Sequence, residues 1–163
     1  MERLVHQGGT QTHGWTPGGS PIQFTNTVHI ERDVEEVFDF LSDLENTPVW
    51  NWAIVETEKL TPGPVRAGTR YTQTRSVPFE STEELEISDL AENELIVVEG
   101  TLAKLRACLE YRLQCDDTGT LLENRVELNP PRGLGFLGRA LASRIQDSVT
   151  DNLGELKYKL ESR

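Results

Sequence analysis

Two hydrophobic periods divide the 163-residue chain. In residues 22–30, IQFTNTVHI, Phe24, Val28 and Ile30 fall on one face and Gln23, Thr25 and His29 on the other, the alternation of a half-buried strand. Asp33, with Glu36 three residues on, reads as the N-cap of a capping-box variant. It opens a helix, VEEVFDFLSDL, whose apolar set is Val34, Val37, Phe38, Leu41 and Leu44. Pro48 starts a second short helical turn carrying Trp50 and Trp52. From Ile54 the period changes to two and predicts strands at 54–60, 69–76, 80–89, 94–101, 104–116 and 120–128. Pro62-Gly63-Pro64, Val77-Pro78-Phe79, Glu92-Asn93 and Asp116-Asp117-Thr118-Gly119 supply turns between them. Connections this short make antiparallel hairpins. Pro130-Pro131 ends the strands, and 133–163 returns to helical spacing through Leu134, Leu137, Leu141, Ile145, Val149 and Leu156. Such a helix is roughly 40 Å long, enough to cross a small domain.

Charge tests the hairpins. Folding 107–116 onto 120–128 sets Arg112 opposite Glu123 and Glu110 opposite Arg125, two favourable pairs on a solvated face. Its other face then holds Leu109, Tyr111 and Leu113 against Leu122, Asn124 and Val126. Closing 69–76 on 80–89 sets Arg70 opposite Glu86 and Thr74 opposite Thr82 outside, with Tyr71 opposite Leu85 and Gln73 opposite Glu83 inside. A slip of one residue would reverse every side chain. Between 80–89 and 94–101 the pattern is ambiguous: either Val97 or its neighbours Ile96 and Val98 face inward.

One antiparallel sheet with a wet outer face needs cover for its inner face, and only the long helix and the short helical pair can supply it. Winding the long helix at 100° per residue puts Ser148 and Asn152 within its apolar stripe. Polar groups there need partners or a wet cavity.

Composition narrows the class. A hydrophobic share of 36% and a charged share of 26% fit a globular domain long enough for one core. The net charge of −11 disfavours nucleic acid and anionic membrane surfaces. No run approaches the ~20 apolar residues of a membrane span, no signal-peptide pattern opens the sequence, and a cytoplasmic location is expected. Residues 1–20, rich in Gly, Thr, Gln and Pro without period, read as a flexible extension before a single domain over 21–163. Cys108 and Cys115 share one strand, seven residues and roughly 20 Å apart, too far for a disulfide. Of His6, His13 and His29, only His29 lies within the patterned region, so neither a metal cluster nor a Ser-His-Asp triad assembles. Gly133, Gly135 and Gly138 carry dinucleotide-fingerprint spacing, but no second parallel strand follows; a loosened helix entrance is the better reading.

The segment VHIERDVEEVFDFLSDLENTPVWNWAIVETEKLTPGPVRAGTRY, Tyr111 with Gly119-Thr120, and the ending NLGELKYKLES resemble the SRPBCC superfamily, with its START-type helix-grip fold. Within it the chain is most similar to the polyketide cyclase/dehydrase branch. The resemblance implies an α+β fold: a seven-stranded antiparallel sheet wrapped around a long C-terminal helix, two short helices between strands 1 and 2, and a hydrophobic ligand cavity between sheet and helix. It implies a hydrophobic, oxygenated, polyketide-like ligand, no metal or organic cofactor, and admits a homodimer. Members of the superfamily include carriers, sensors and enzymes, so fold alone does not decide between cyclisation or dehydration and simple carriage.

On the residues themselves, Glu83 is the candidate general acid or base, since burial beside Gln73 raises a carboxylate's affinity for its proton. Tyr71 is a second candidate for proton transfer. Tyr111, Asn124, Ser148 and Asn152 supply possible donors to a ligand oxygen. Arg75, on the same face, can pair with Glu83 or with a ligand carboxylate. Trp50 and Trp52 either pack beneath the first helix or stack on a planar ligand. Leu137 and Leu141 furnish apolar wall from the long helix.

Overall fold

The computed structural model describes residues 21–102, 104–130 and 135–163, the last group without the side chains of 135–139. The extension 1–20, Gly133, Leu134 and the Leu137 side chain, which figure in the sequence reading, lie outside the described residues. The elements run β1 (Ile22–Ile30), α1 (Val34–Ser42), a 3-10 turn (Leu44–Asn46), α2 (Thr47–Trp50), β2 (Ile54–Lys59), β3 (Arg70–Arg75), β4 (Ser81–Ala91), β5 (Leu95–Leu102), β6 (Leu105–Asp116), β7 (Gly119–Asn129) and α3 (Gly135–Glu161). The strands form one antiparallel sheet of order β1-β7-β6-β5-β4-β3-β2. The first two strands therefore occupy opposite edges. The helical segment between them must carry the chain from one edge to the other, across the face that α3 also covers.

The hairpin registers follow the charge argument. Arg112 stands opposite Glu123, Glu110 opposite Arg125 and Tyr111 opposite Asn124. Arg70 stands opposite Glu86, Tyr71 opposite Leu85 and Gln73 opposite Glu83. The ion pairs themselves differ. Arg112 bonds Glu110 of its own strand at 2.6 Å, Arg70 reaches diagonally to Glu84 at 3.7 Å, and Arg125 donates to Gln23 at 3.1 Å. On a twisted, solvated face these long side chains gain little from any one partner, so register fixes the row but not the pairing. Between β4 and β5 a bulge after Ile87 shifts the pairing, and it is Ile96 and Val98 that face inward.

Helix ends differ slightly from expectation. Asp33 is the N-cap of α1 but its side chain makes no capping bond, and Glu36 turns to Arg32 at 3.6 Å. Leu44 leaves α1 for the 3-10 turn, where Asp43 accepts from the Glu45 amide. Trp52 falls just past α2. Among the described side chains of α3 the buried ones are Ala142, Ile145, Asn152, Leu153, Leu156 and Leu160; the last turns pack into the main core with Phe38, Leu41, Tyr71, Ile87 and Ile96. A second cluster joins Ile145 to Ala107, Val126 and Leu128, with Ile22, Phe24 and Leu141 packed against it. Outside this core, His29 is bound through Nε2 to Asp116 at 3.1 Å and to Thr118. Thr118's hydrogen bonds, with the imidazole, hold the Asp116 carboxyl down at about 2. Cys108 and Cys115 are free thiols, and burial pushes Cys108 up to about 11. No helix among the described residues is long and apolar enough to cross a membrane.

Two glycines should respond oppositely to alanine. Gly119 has φ +150°, and a Cβ there would collide with the Ile30 carbonyl oxygen. Gly154 sits exposed in α3 with open space where a Cβ would stand. Urea unfolding should show Gly119→Ala destabilised by more than about 1 kcal/mol and Gly154→Ala stabilised by about 0.5–1 kcal/mol.

Candidate functional site

Where the sheet, the α2 turn and the middle of α3 meet, the packing leaves two adjoining spaces. The inner one is a cavity of about 60 Å³. Leu41, Leu44, Thr47 and Trp50 line it from the helical segment, Gln73 and Arg75 from β3, Tyr111 from β6, Asn124 from β7, and Asn152 and Leu153 from α3. The outer one is a cleft of about 450 Å³. Trp52, Ala53, Val77 and Pro78 form one side of it; Leu141, Arg144, Ile145, Asp147, Ser148 and Asp151 of α3 form the other. Asn51, Arg75, Leu102, Val149 and Asn152 line both. The second volume is that of a drug-sized ligand site, whereas the first admits only a few atoms.

The border between them is polar. Asn51 follows α2, and its Oδ1 accepts from the Ala53 amide at 3.2 Å and from Asn152 Nδ2 at 3.0 Å. Beside it, Glu83 is buried and receives two charge-assisted bonds, from Arg75 Nε at 2.8 Å and from Gln73 Nε2 at 2.8 Å. Strand periodicity explains the trio: Gln73 and Arg75 are i and i+2 on β3, and Glu83 is the cross-strand partner of Gln73. Arg75 is held to Glu83 through Nε, and its side chain lines both spaces.

The sequence-derived candidates thus separate. Gln73, Arg75, Tyr111, Asn124, Asn152 and Trp50 converge on the inner cavity. Leu141, Ser148 and Trp52 border the outer cleft, Trp52 with 57% of its surface exposed. Glu83 faces inward but lies behind Gln73 and Arg75 and belongs to neither lining. Tyr71 is fully buried and also belongs to neither. Burial, reinforced by the Asp43 carboxylate, pushes its phenol up to about 12. Burial likewise raises the Tyr111 phenol, which stays protonated at neutral pH. Asn51, Arg144, Asp147 and Asp151 went unnoticed in the sequence. The only signal for Asn51 was a short polar side chain between two tryptophans, after a helical turn. No group of His, Cys, Asp and Glu among the described residues could hold a metal ion.

This architecture has known relatives. The chain belongs to the polyketide cyclase / dehydrase and lipid transport family, whose model matches residues 21–161. Among solved structures it is similar to the Zhui aromatase/cyclase from Streptomyces sp. R1128, with 16% identity, a TM-score of 0.73, and 88% of this chain and 96% of that one covered. A START superfamily protein from Mycobacterium smegmatis gives 16% identity and a TM-score of 0.71, covering 86% and 97%. Ara h 8.0201 gives 15% identity and a TM-score of 0.70, covering 88% and 100%. At these identities the likeness is one of fold. No curated protein matches the chain significantly.

The Arg75–Glu83 pair should be strongly coupled. Removing one partner of a buried pair leaves the other charge uncompensated, at about 3–5 kcal/mol. Glu83→Leu should lose about that much in denaturant unfolding. Adding Arg75→Met should recover at least about 1 kcal/mol, so that the double variant is less damaged than the singles summed.

Proposed function

We propose that the outer cleft binds a hydrophobic, oxygenated small molecule of polyketide type and promotes its cyclisation or dehydration. The observation that carries this reading is Arg75, a buried cation whose side chain borders both spaces. In an internal aldol closure, the nucleophilic carbon of an enol attacks a ketone carbon of the same chain, and the enol O–H gives its proton to solvent as that carbonyl re-forms. The ketone oxygen becomes an alkoxide and then takes up a proton; loss of water follows in a dehydration. A guanidinium fixed near that oxygen stabilises the developing negative charge, and the cleft walls fold the flexible chain into a reactive conformation. Glu83 is given a positioning role, holding Arg75 by Nε, in place of the proton transfer expected from sequence. Tyr71 opens on neither space and receives no step.

A specific observation also favours the second reading, carriage or sequestration without chemistry. The cleft walls of Trp52, Val77, Pro78, Leu141 and Ile145 are mainly apolar, and Glu83 and Tyr71, the side chains expected to move protons, line neither space. The test supplies the protein with a linear poly-β-ketone released by a minimal polyketide synthase and resolves the products by liquid chromatography and mass spectrometry. The wild type should shift the mixture toward one ring pattern, and Arg75→Met should lose at least about tenfold of that shift, about 1.4 kcal/mol of barrier. A product mixture unchanged by the wild type, with the poly-β-ketone still retained on the protein, would establish the carrier reading instead.

A further inference from the structure

The outer cleft lies at the end of the sheet where β1 begins. Neighbouring strands run in opposite directions, so the start of β1 shares that end with the close of β5 at Leu102 and of β3 at Arg75. Leu102 and Arg75 both line the cleft, with Val77 and Pro78 just beyond β3. Packing agrees. Ile22, the first residue of β1, is grouped with Leu102 and Leu141 around Ile145, and those three line the cleft. Residues 1–20 therefore join the domain on the side of the cleft.

One wall of the cleft leaves apolar surface uncovered. Trp52 and Val77 belong to it, and both are exposed. Exposed apolar surface gathered in a concave site marks a place where something binds. The sequence of residues 1–20 holds a matching group. Trp15 is its one Trp, Tyr or Phe, set between Gly14 and Thr16-Pro17-Gly18-Gly19. It precedes Ile22 by seven residues, a tether of at most about 23–25 Å. At about 4.8 Å per strand, three spacings from β1 to β5 come to about 14 Å and five from β1 to β3 to about 24 Å. The tether thus reaches across the cleft and hardly further. Charge permits the approach: the chain carries −11, yet residues 4–20 contain no Asp or Glu to face Asp147 and Asp151 of the cleft.

We propose that the segment around Trp15 docks in the outer cleft of its own chain, the indole against Trp52 and Val77, and that a ligand enters by displacing it. Tethering holds the indole at a local concentration in the millimolar range, which sustains a contact too weak for a free peptide. The proposal rests on the small-molecule reading above and adds regulation to it. A ligand's apparent affinity falls by the fraction of time the cleft stands open, so weak binders are kept out.

The experiment measures the dissociation constant of 2-naphthol, a neutral oxygenated bicycle, by calorimetry on the 163-residue chain and on its Trp15→Ser variant. If the segment covers the cleft about four-fifths of the time, the variant should bind about fivefold more tightly. In nitrogen-15 spectra of the wild type, the indole N–H signal missing from Trp15→Ser should move when 2-naphthol saturates the protein. An unchanged affinity or an unmoved Trp15 signal, with 2-naphthol bound, overturns the docking and leaves the ligand cleft standing. Sedimentation showing a dimer that Trp15→Ser abolishes puts the segment in a second copy and overturns the docking within one chain. If neither protein binds 2-naphthol, the cleft reading fails and this inference with it.

Discussion

One helix cannot fill the concave side of seven strands. Strands spaced about 4.8 Å apart span roughly 30 Å, while a helix with its side chains is about 10 Å across. Curling the sheet narrows the difference without removing it, and the remainder must be met by other elements or left as space. Here the crossing segment α1, the 3-10 turn and α2 plugs one end, with Phe38, Phe40, Leu41 and Leu44 buried beside Leu153, Leu156 and Leu160. Towards the middle of α3 the plug ends at Trp50, and the two spaces begin there. The proposed ligand site is the unfilled part of a packing problem that the fold solves only at one end.

That view explains where polar residues are tolerated. At the plugged end the inward side chains of β4 and β5 include Ile87 and Ile96. Next to the spaces, Leu85 and Val98 share the inward face with Gln73, Arg75, Glu83 and Asn124. A buried ion pair is seldom better for stability than hydrophobic residues of similar volume. Its presence under a cavity, with one partner committed to holding the other, suits a site that needs a cation in a defined orientation. Gln73 completes the arrangement by filling the second carboxylate oxygen, which leaves Glu83 fewer ways to turn.

The sheet was legible because several weak signals agreed: alternation, turn residues and opposite charges across each hairpin favoured the same register for Tyr111 with Asn124 and Gln73 with Glu83. The fate of each inward residue was not legible, because register assigns a face but not what covers it. Tyr71 and Gln73 share a face of β3, yet Tyr71 is closed over near Asp43 and Leu44 while Gln73 borders the cavity. That division depends on where the crossing segment ends, a tertiary fact with no local pattern behind it. Asn51 escaped for the same reason, since its role is set by Asn152, about a hundred positions away in sequence. Ser148 and Asn152 announced themselves because polar side chains on an apolar stripe contradict the helical period, and such contradictions gather at functional sites.

Size then assigns the labour within the site. A ligand large enough to fill the outer cleft leaves most of its area against Trp52, Val77, Pro78, Leu141 and Ile145, where contact is mainly apolar. Burial of that kind is non-directional and sets affinity with little regard to which oxygenated molecule is present. On the proposed reading, discrimination comes from the narrow inner end, where Gln73, Arg75, Tyr111 and Asn152 stand among apolar side chains. The Asn51–Asn152 hydrogen bond lies on the boundary between the two regimes. That contact ties the end of α2 to α3 through side-chain amides. On the proposed reading, affinity and selectivity are therefore properties of different walls, joined at a pair of asparagines.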